Sequence, residues 1–287
     1  MRILLTGGNG QVGWELERAL PALGELIATD RATLDLADPD AIRRAVREAK
    51  PEVIVNAAAY TAVDQAESEP EQAIRINGIA PGVLAEEAKR LEALLVHYST
   101  DYVFDGTKAE PYVEDDATNP INVYGASKLA GERAIQARGC RYLIFRTSWV
   151  YAARGRNFLL TILRAARERP ELRVVNDQIG APTWCRDLAQ ATAAAIPKGI
   201  ADASTQGVYH ANGSGAVSWF GFATEILRLA GSATPIRAVA SSEYPTAAAR
   251  PANSRLDCGK LACTFGIAMP DWRRSVAECM REPRLPA

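Results

Sequence analysis

The segment that most constrains this chain is its first turn, where three evenly spaced glycines join a strand to a helix. A β-rich apolar run, Arg2–Thr6, leads directly into Gly7-Gly-Asn-Gly-Gln-Val-Gly13, and Gln11–Leu23 then carries apolar residues at helical spacing. A turn that brings backbone N–H groups against a diphosphate needs residues without a Cβ atom, and a helix N-terminus adds free donors. The alternative is a glycine-rich turn without a ligand. The segment favours a dinucleotide site whose first contacts are Gly7, Gly10, Gln11, Val12 and Gly13.

Short apolar runs and helical patterns alternate through about residue 147. The runs are Arg2–Thr6, Glu25–Thr29, Glu52–Asn56, Ala93–Tyr98 and Arg141–Thr147, and the helical patterns are Gln11–Leu23, Pro39–Ala49, Glu71–Leu91 and Asn122–Ala137. Such runs are typical of parallel strands buried on both faces and joined through helices by right-handed crossovers. The predicted fold class is therefore α/β, with a doubly wound parallel sheet of the Rossmann type.

The second half of the chain follows a looser pattern. Prolines divide much of it into short pieces, although Phe158–Arg169 reads as a helix. We predict a dinucleotide-binding domain over residues 1–147 and a smaller, interleaved C-terminal lobe over residues 148–287 that mainly binds substrate. Residues 172–175 are a candidate for one further strand of the central sheet.

The composition excludes several classes of protein. The 287 residues are 48% apolar and 23% charged with a net charge of -1, which provides no general attraction for nucleic acid or an anionic membrane. Five scattered cysteines argue against a disulfide framework or a structural zinc site. No apolar run approaches the ~18 residues of a membrane span, and the N-terminus does not resemble a signal peptide. We expect a cytoplasmic protein with neither a nucleic-acid nor a membrane partner.

Residues after the second to fourth strands extend the predicted dinucleotide site. Asp30 ends the second strand, where a carboxylate can accept from an adenosine ribose hydroxyl and so favour NAD(H). Arg31 beside it could equally pair with the 2′-phosphate of NADP(H), so the preference stays open. The other expected contacts, for which plain packing beneath the loops is the alternative, are Asp35, Leu36, Ala57, Ala59, Tyr60 and Tyr98.

Tyr124 and Lys128 place a phenol and an ammonium on one face of a predicted helix. Adding hydride to a ketone builds an alkoxide, which an acid within hydrogen-bond reach must protonate. A neighbouring Lys⁺ is expected to lower the phenol pKa, and Lys128 could also donate to the nicotinamide ribose. Thr100 follows the fourth strand, where its hydroxyl can bond the carbonyl; taken alone, it could equally be a strand-end cap. We predict Tyr124, Lys128 and Thr100 as the catalytic group.

Several blocks together resemble the extended short-chain dehydrogenase/reductase superfamily and, within it, the dTDP-4-dehydrorhamnose reductase family. The likeness spans nearly the whole chain. Its later blocks discriminate best, because the glycine loop and the Tyr/Lys pair occur in many sugar-nucleotide enzymes. The blocks are Thr6–Gly13, Asn56–Ala59, Ser99–Phe104, Tyr124–Lys128, Phe145–Tyr151, Asn176–Thr183, Tyr244–Thr246 and Arg250–Leu256.

This resemblance implies reduction of the C4 ketone of dTDP-4-dehydro-β-L-rhamnose, a dTDP-linked 4-keto-6-deoxysugar, by NADH or NADPH. Tyr124 would be the proton donor, Lys128 its partner and cofactor anchor, and Thr100 the carbonyl-side donor. The positions matching the family's sugar pocket are Thr61, Val63, Thr100, Asp101, Phe104 and Trp149. Arg250 and Arg255 would hold the diphosphate. The alternatives are a core aromatic for Trp149 and solvated loop residues for the two arginines.

One departure from the family concerns metal binding. Family members can dimerise around a divalent cation held by acidic residues, and Mg²⁺ is possible on that basis. Here Glu15 and Asp187 match, but Arg186 stands where an acid is expected. A cation there removes an oxygen ligand and repels Mg²⁺. We therefore expect no metal site and a monomer or a weak homodimer.

Two other functions compete with reduction. A dehydratase or epimerase of the same superfamily shares the glycine loop and the Tyr/Lys pair, but Thr100-Asp101-Tyr102 lacks the glutamate that dehydratases carry after the fourth strand. Tightly retained NAD⁺ in the purified protein would favour an epimerase. A non-catalytic, NAD(P)-binding regulatory subunit is the second alternative, and turnover of a keto-sugar nucleotide by the protein alone would exclude it.

Overall fold

The computed structural model describes residues 1–282, which form two lobes around one central sheet. The strands are β1 (Arg2–Thr6), β2 (Glu25–Thr29), β3 (Val53–Asn56), β4 (Leu94–Thr100), β5 (Arg141–Thr147), β6 (Val150–Tyr151), β7 (Leu172–Val175), β8 (Ile179–Gly180), β9 (Thr183–Trp184), β10 (Gly207–His210), β11 (Val217–Ser218) and β12 (Ile236–Val239).

The α-helices cover both faces of the central sheet and build most of the second lobe. They are α1 (Gln11–Ala19), α2 (Pro39–Ala49), α3 (Val63–Ala66), α4 (Pro70–Ile74), α5 (Ala80–Arg90), α6 (Val123–Arg138), α7 (Phe158–Glu168), α8 (Cys185–Ala201), α9 (Trp219–Leu229), α10 (Gly259–Phe265) and α11 (Trp272–Cys279). A π-helical turn, Arg75–Ile79, joins α4 to α5. Within the described part of the chain, no helix is long and apolar enough to cross a membrane.

The central sheet is parallel and doubly wound, as predicted. In residues 1–282 its strand order is β10-β5-β4-β3-β1-β2, and every neighbouring pair runs parallel. Two apolar cores cover its two faces. One contains α1 and α8 through Leu16 and Leu188, and the other contains α2 and α5 through Ile42 and Leu84. The order reverses between β1 and β3, the position where open α/β sheets bind ligands beyond their carboxyl ends.

The proposed return of residues 172–175 to the central sheet was wrong. These residues do form strand β7, but β7 pairs with β12 in a separate two-stranded sheet. Leu172 and Val174 are buried in the core of the second lobe, together with Phe222 and Trp272, which holds β7 away from the central sheet. The strand that returns is β10, which pairs with β5 at the sheet edge.

The two lobes are interleaved in the sequence. Residues after 147 complete the core of the first lobe, since Ile196, Tyr209 and Leu261 pack with the strand residues Val96 and Phe145. The second lobe has its own aromatic core of α7, α9 and α11. A boundary at residue 147 thus marks the end of β5 but does not separate two independent cores.

Candidate active site

A crevice of about 920 Å³ lies at the carboxyl edge of the sheet, between the two lobes. Parallel strands end together there: Thr6 pairs with Asn56, and Thr100 pairs with Thr147. Most of the residues predicted from the sequence line it, namely Gly7, Gly10, Gln11, Val12, Asp30, Asp35, Leu36, Ala57, Ala59, Tyr60, Thr61, Val63, Tyr98, Thr100, Asp101, Tyr124, Lys128 and Trp149.

The glycine turn is packed so closely that side chains do not fit at two of its positions. Gly7 has a φ of 75°, and a Cβ there would approach the Ala58 backbone to 2.8 Å. Gly13 lies beneath the turn, where a Cβ would collide with the carbonyl oxygen of Gly7, so it supports the turn from below and does not line the crevice. No side chain caps the start of α1, and its first turn contains no acid. The turn therefore fits a diphosphate.

Opposite charges meet at the adenosine end of the crevice. Asp30 accepts hydrogen bonds from the backbone of Ala32 and Thr33, at 2.9 Å and 3.0 Å, and from the Asn9 side chain. The bonds from Thr33 contribute most to lowering the pKa of Asp30. Arg31 lines the same end. A ribose hydroxyl could bond the Asp30 carboxylate, and a 2′-phosphate could pair with Arg31.

The three predicted catalytic residues lie together because the N-terminus of α6 packs beside the carboxyl end of β4. Asn122 caps α6 by accepting from the Gly125 backbone at 2.7 Å, so Tyr124 stands in the first turn and Lys128 one turn later. Thr100, the last residue of β4, donates to the Asp101 carboxylate at 2.9 Å. All three line the crevice.

The phenol pKa moves opposite to the direction expected from the sequence. Burial raises the pKa of Tyr124, the Asp101 charge raises it further, and a hydrogen bond with Thr100 opposes both. Burial also lowers the pKa of Lys128 to about 8, against the charge of Glu132. Burial and the Asp101 charge dominate at Tyr124, and Lys128 is not among the groups that shift its pKa, so the expected lowering by Lys128 is wrong for this site.

A buried polar chain leads from the sheet to Lys128. The Thr6 hydroxyl donates to Asn56 at 2.7 Å, the Asn56 amide lies 3.0 Å from His97 Nδ1, and Lys128 Nζ lies 3.4 Å from His97 Nε2. Burial and the Lys128 charge lower the pKa of His97 well below its usual value, so its imidazole is neutral and has one donor and one acceptor nitrogen. His97 was not predicted from the sequence, although a histidine inside an otherwise apolar strand was a usable signal.

Two stacked indoles form the wall contributed by the second lobe. Trp149 and Trp219 lie with ring centroids 3.5 Å apart and planes within 9°, and both line the crevice. Trp149 has a left-handed φ of 47°, and its ring covers Gly180 so closely that a Cβ there would reach 2.6 Å. Trp219 was not predicted, because it lies 70 residues from Trp149 and belongs to no recognised motif.

Three residues predicted to contact substrate do not line the crevice. Phe104 is fully buried and stacks on Tyr112 with centroids 4.2 Å apart, because the chain turns inward after β4. Arg250 pairs with Asp64 at 2.8 Å. Arg255 bonds Asn253 at 2.8 Å and the carbonyl of Ala109. The placement of Phe104 in the sugar pocket is thus corrected, and both arginines already have protein partners.

The acidic residues considered for a metal have other partners. Arg186 donates to Glu15 at 3.1 Å and to Glu282 at 2.5 Å, while Asp187 accepts from Ser275 at 2.5 Å. Among residues 1–282 there is no group of three or more His, Cys, Asp or Glu that could hold a metal ion. The lack of a metal-bridged dimer stays a prediction.

Comparison with known proteins gives one consistent family. The family model for the RmlD substrate binding domain matches residues 1–284. A dTDP-4-dehydrorhamnose reductase from Burkholderia thailandensis is 52% identical over a 294-residue alignment, covering 98% of this chain and 99% of that protein.

Solved structures agree with that match. A dTDP-4-dehydrorhamnose reductase from Clostridium acetobutylicum superposes with a TM-score of 0.93 at 39% identity, covering 98% of each chain. One from Bacillus anthracis, solved in complex with NADP, gives a TM-score of 0.91 at 38% identity and covers 97% of this chain and 98% of its own. The likeness therefore includes both lobes.

Proposed function

Because this chain belongs to the RmlD substrate binding domain family, we propose that it reduces the C4 ketone of dTDP-4-dehydro-β-L-rhamnose with NADPH or NADH to give dTDP-L-rhamnose. The observation that carries the proposal is one shared crevice, in which Tyr124, Lys128 and Thr100 lie beside a glycine turn. A dTDP-4-dehydrorhamnose reductase is 52% identical to the chain over nearly its full length.

The residues of the crevice suit a dinucleotide. The turn at Gly7 and Gly10 has no Cβ atoms to obstruct a diphosphate, and the uncapped N-terminus of α1 offers it backbone donors. Asp30 and Arg31 line the same crevice, where we place the adenosine. A relative of 38% identity was solved in complex with NADP, which supports the same class of cofactor here. When bound, the nicotinamide supplies hydride to the C4 carbon of the sugar.

Tyr124 acts as the acid that completes the reduction. Its raised pKa keeps the phenol protonated at neutral pH, so it can donate a hydrogen bond to the carbonyl and transfer its proton as charge develops on the oxygen. Thr100 orients the phenol and the carbonyl. Lys128, buried behind them, holds the ribose and returns a proton to the phenolate after the product forms.

Groups from both lobes position the sugar. The indole face of Trp149, supported by Trp219, packs against the apolar face of the hexose. Asp101, whose pKa burial raises to about 6, accepts a hydrogen bond from a sugar hydroxyl. Thr61 and Val63, after β3, close the other side. This arrangement favours a dTDP-linked 4-keto-6-deoxysugar as substrate.

The proposal also covers the protein's partners, its location and its assembly state. A chain with a net charge of -1 provides little attraction for nucleic acid or an anionic membrane. We place it in the cytoplasm as a monomer or a weak homodimer. Sedimentation at several protein concentrations tests the assembly state.

An absorbance assay of NADPH and NADH oxidation tests the reaction. Purified protein is supplied with dTDP-linked and UDP-linked 4-keto-6-deoxysugars, and the sugar product is identified by NMR. We expect oxidation of either dinucleotide with the dTDP-linked ketone and one mole of alcohol per mole consumed. Elimination or epimerisation without net dinucleotide oxidation, or no turnover by the protein alone, would contradict the proposal.

A further inference from the structure

A loop of the second lobe, Ala152–Asn157, is fastened against the glycine turn of the first lobe. The Asn157 amide donates to the Gln11 side chain at 2.6 Å and to the carbonyls of Ala152 and Arg154 at 2.8 Å and 3.1 Å. Gln11 in turn donates to the Arg156 carbonyl at 3.3 Å. These bonds fix the backbone of the loop beside the residue that follows Gly10.

Arg154 and Arg156 of this loop both line the crevice, and Arg154 is the one whose side chain is held in place by a neighbouring ring. Its guanidinium carbon lies 3.9 Å from the ring centroid of Trp14 on α1, so stacking orients the planar group. Arg154 lines the crevice together with Gly7, Gly10 and Gln11. Its Nη1 atom is buried and has no hydrogen-bond partner among residues 1–282.

A desolvated guanidinium nitrogen without an acceptor is costly, because it has lost water and gained nothing in exchange. The N-terminus of α1 does not supply an anion, since its first turn has no acidic residue. A phosphate oxygen suits both the Arg154 guanidinium and the N-terminus of α1, because guanidinium pairs well with phosphate and the helix N-terminus favours the same negative charge.

We propose that Arg154 is a cofactor-binding residue that holds the dinucleotide diphosphate beside the glycine turn, so that both lobes contribute to the diphosphate site. The inference rests on the proposed function, since it assumes that the turn binds a dinucleotide. The contacts of the loop with Gln11 favour this diphosphate over that of the sugar nucleotide, because Gln11 belongs to the turn itself.

Calorimetric titration with three probes tests the inference: NADPH, ADP-ribose and dTDP. For Arg154→Met we expect a Kd for NADPH and ADP-ribose weaker by on the order of 10- to 100-fold, the usual range for a lost charged hydrogen bond. The Kd for dTDP should stay within about 2-fold of wild type. Arg154→Lys keeps the charge without the planar stack and should recover part of the loss.

The matched control is Arg164→Met, which removes an equal charge from an exposed position on α7 and should leave all three affinities unchanged. An unchanged affinity for NADPH and ADP-ribose in both Arg154 variants would overturn the role of Arg154 and leave the proposed function intact. Weakened dTDP binding alone would assign Arg154 to the sugar nucleotide and also overturn it. Failure of the wild-type chain to bind NADPH would instead overturn the proposed function, and the inference with it.

Discussion

Tyr124 and Lys128 share a crevice, yet burial moves their pKa values in opposite directions. A phenol with a raised pKa stays protonated, and an ammonium with a pKa near 8 can release its proton close to neutral pH. Tyr124 therefore acts as a protonated donor that Lys128 can reprotonate, and not as an acid activated by a neighbouring charge. His97 lies within 3.4 Å of Lys128 Nζ and connects Lys128 to the polar chain inside the sheet.

Tyr124→Phe tests the donor. The ring is retained, so the fold and NADPH affinity should be unchanged, while kcat should fall by at least ~100-fold, the scale of a positioned acid. Steady-state kinetics and NADPH titration measure the two effects separately. Turnover near that of wild type would show that another group protonates the product.

Asp101→Asn tests the cost of a buried carboxylate. The pKa of Asp101 is raised from 3.8 to about 6, so the folded protein binds more protons than the unfolded chain between these values. The contribution of this group to stability is present below pH 3.8 and lost as the pH rises through about 6. Ionising it costs on the order of 3 kcal/mol, at about 1.4 kcal/mol per pKa unit.

The asparagine variant should therefore become more stable relative to wild type as the pH rises through that window. Urea unfolding of both proteins across the window measures the difference, and other titrating groups, such as His210, cancel in the comparison. Stability curves that run parallel at all pH values would contradict the raised pKa.

Secondary structure elements were predicted well where the chain builds the sheet and poorly in the second lobe. Five predicted strands match β1 to β5 within two residues at each end, and the helical patterns match α2, α6 and α7 within one residue. The pattern Gln11–Leu23 was too long, because α1 ends at Ala19, and the pattern Glu71–Leu91 is divided by the π-helical turn between α4 and α5. Long buried runs carry a strong periodic signal. Two-residue strands such as β8 and β11 depend on tertiary pairing and leave no such signal.

In the candidate site too, residues defined by local sequence could be predicted and those placed by tertiary contacts could not. The glycine turn, Tyr124 and Lys128 are defined by short-range spacing and could be predicted. Trp219 reaches the crevice by stacking on Trp149, and Arg154 reaches it through contacts between the lobes. No local pattern encodes either contact. Phe104 was misplaced because a motif position fixes the backbone but not which way the ring turns.

Capping of α6 links an element to catalysis, because Asn122 fixes the first turn that carries Tyr124. Asn122 also donates to the Ala249 carbonyl at 2.8 Å. Asn122→Ala should lower the free energy of unfolding by ~1 kcal/mol or more and reduce kcat as Tyr124 loses its fixed position. Denaturation and kinetics measure both.

Asp271→Ala is the matched control for the cap. Asp271 caps α11 by accepting from the Arg273 backbone at 2.9 Å, and it does not line the crevice. It should cost similar stability while leaving kcat unchanged. Equal losses of kcat in the two variants would show that activity follows overall stability and not the position of Tyr124.

The whole molecule unfolds as one unit if the shared core governs its stability. Residues after 147, including Ile196, Tyr209 and Leu261, complete the first-lobe core, so the lobes cannot separate without exposing it. We expect a single calorimetric transition for the full chain and no cooperative transition for a fragment of residues 1–147. Two resolved transitions, or a stably folded fragment, would contradict this.

The late position of β10 has a consequence for how the protein is made. Strand β5 is complete at residue 147, but its partner begins at Gly207. While the intervening residues leave the ribosome, over on the order of several seconds, β5 presents an open edge of unpaired backbone N–H and C=O groups to other nascent chains. Overproduction should therefore yield more inclusion bodies at high expression levels, when many nascent chains are made at once. A holdase chaperone that covers this edge should increase the soluble yield.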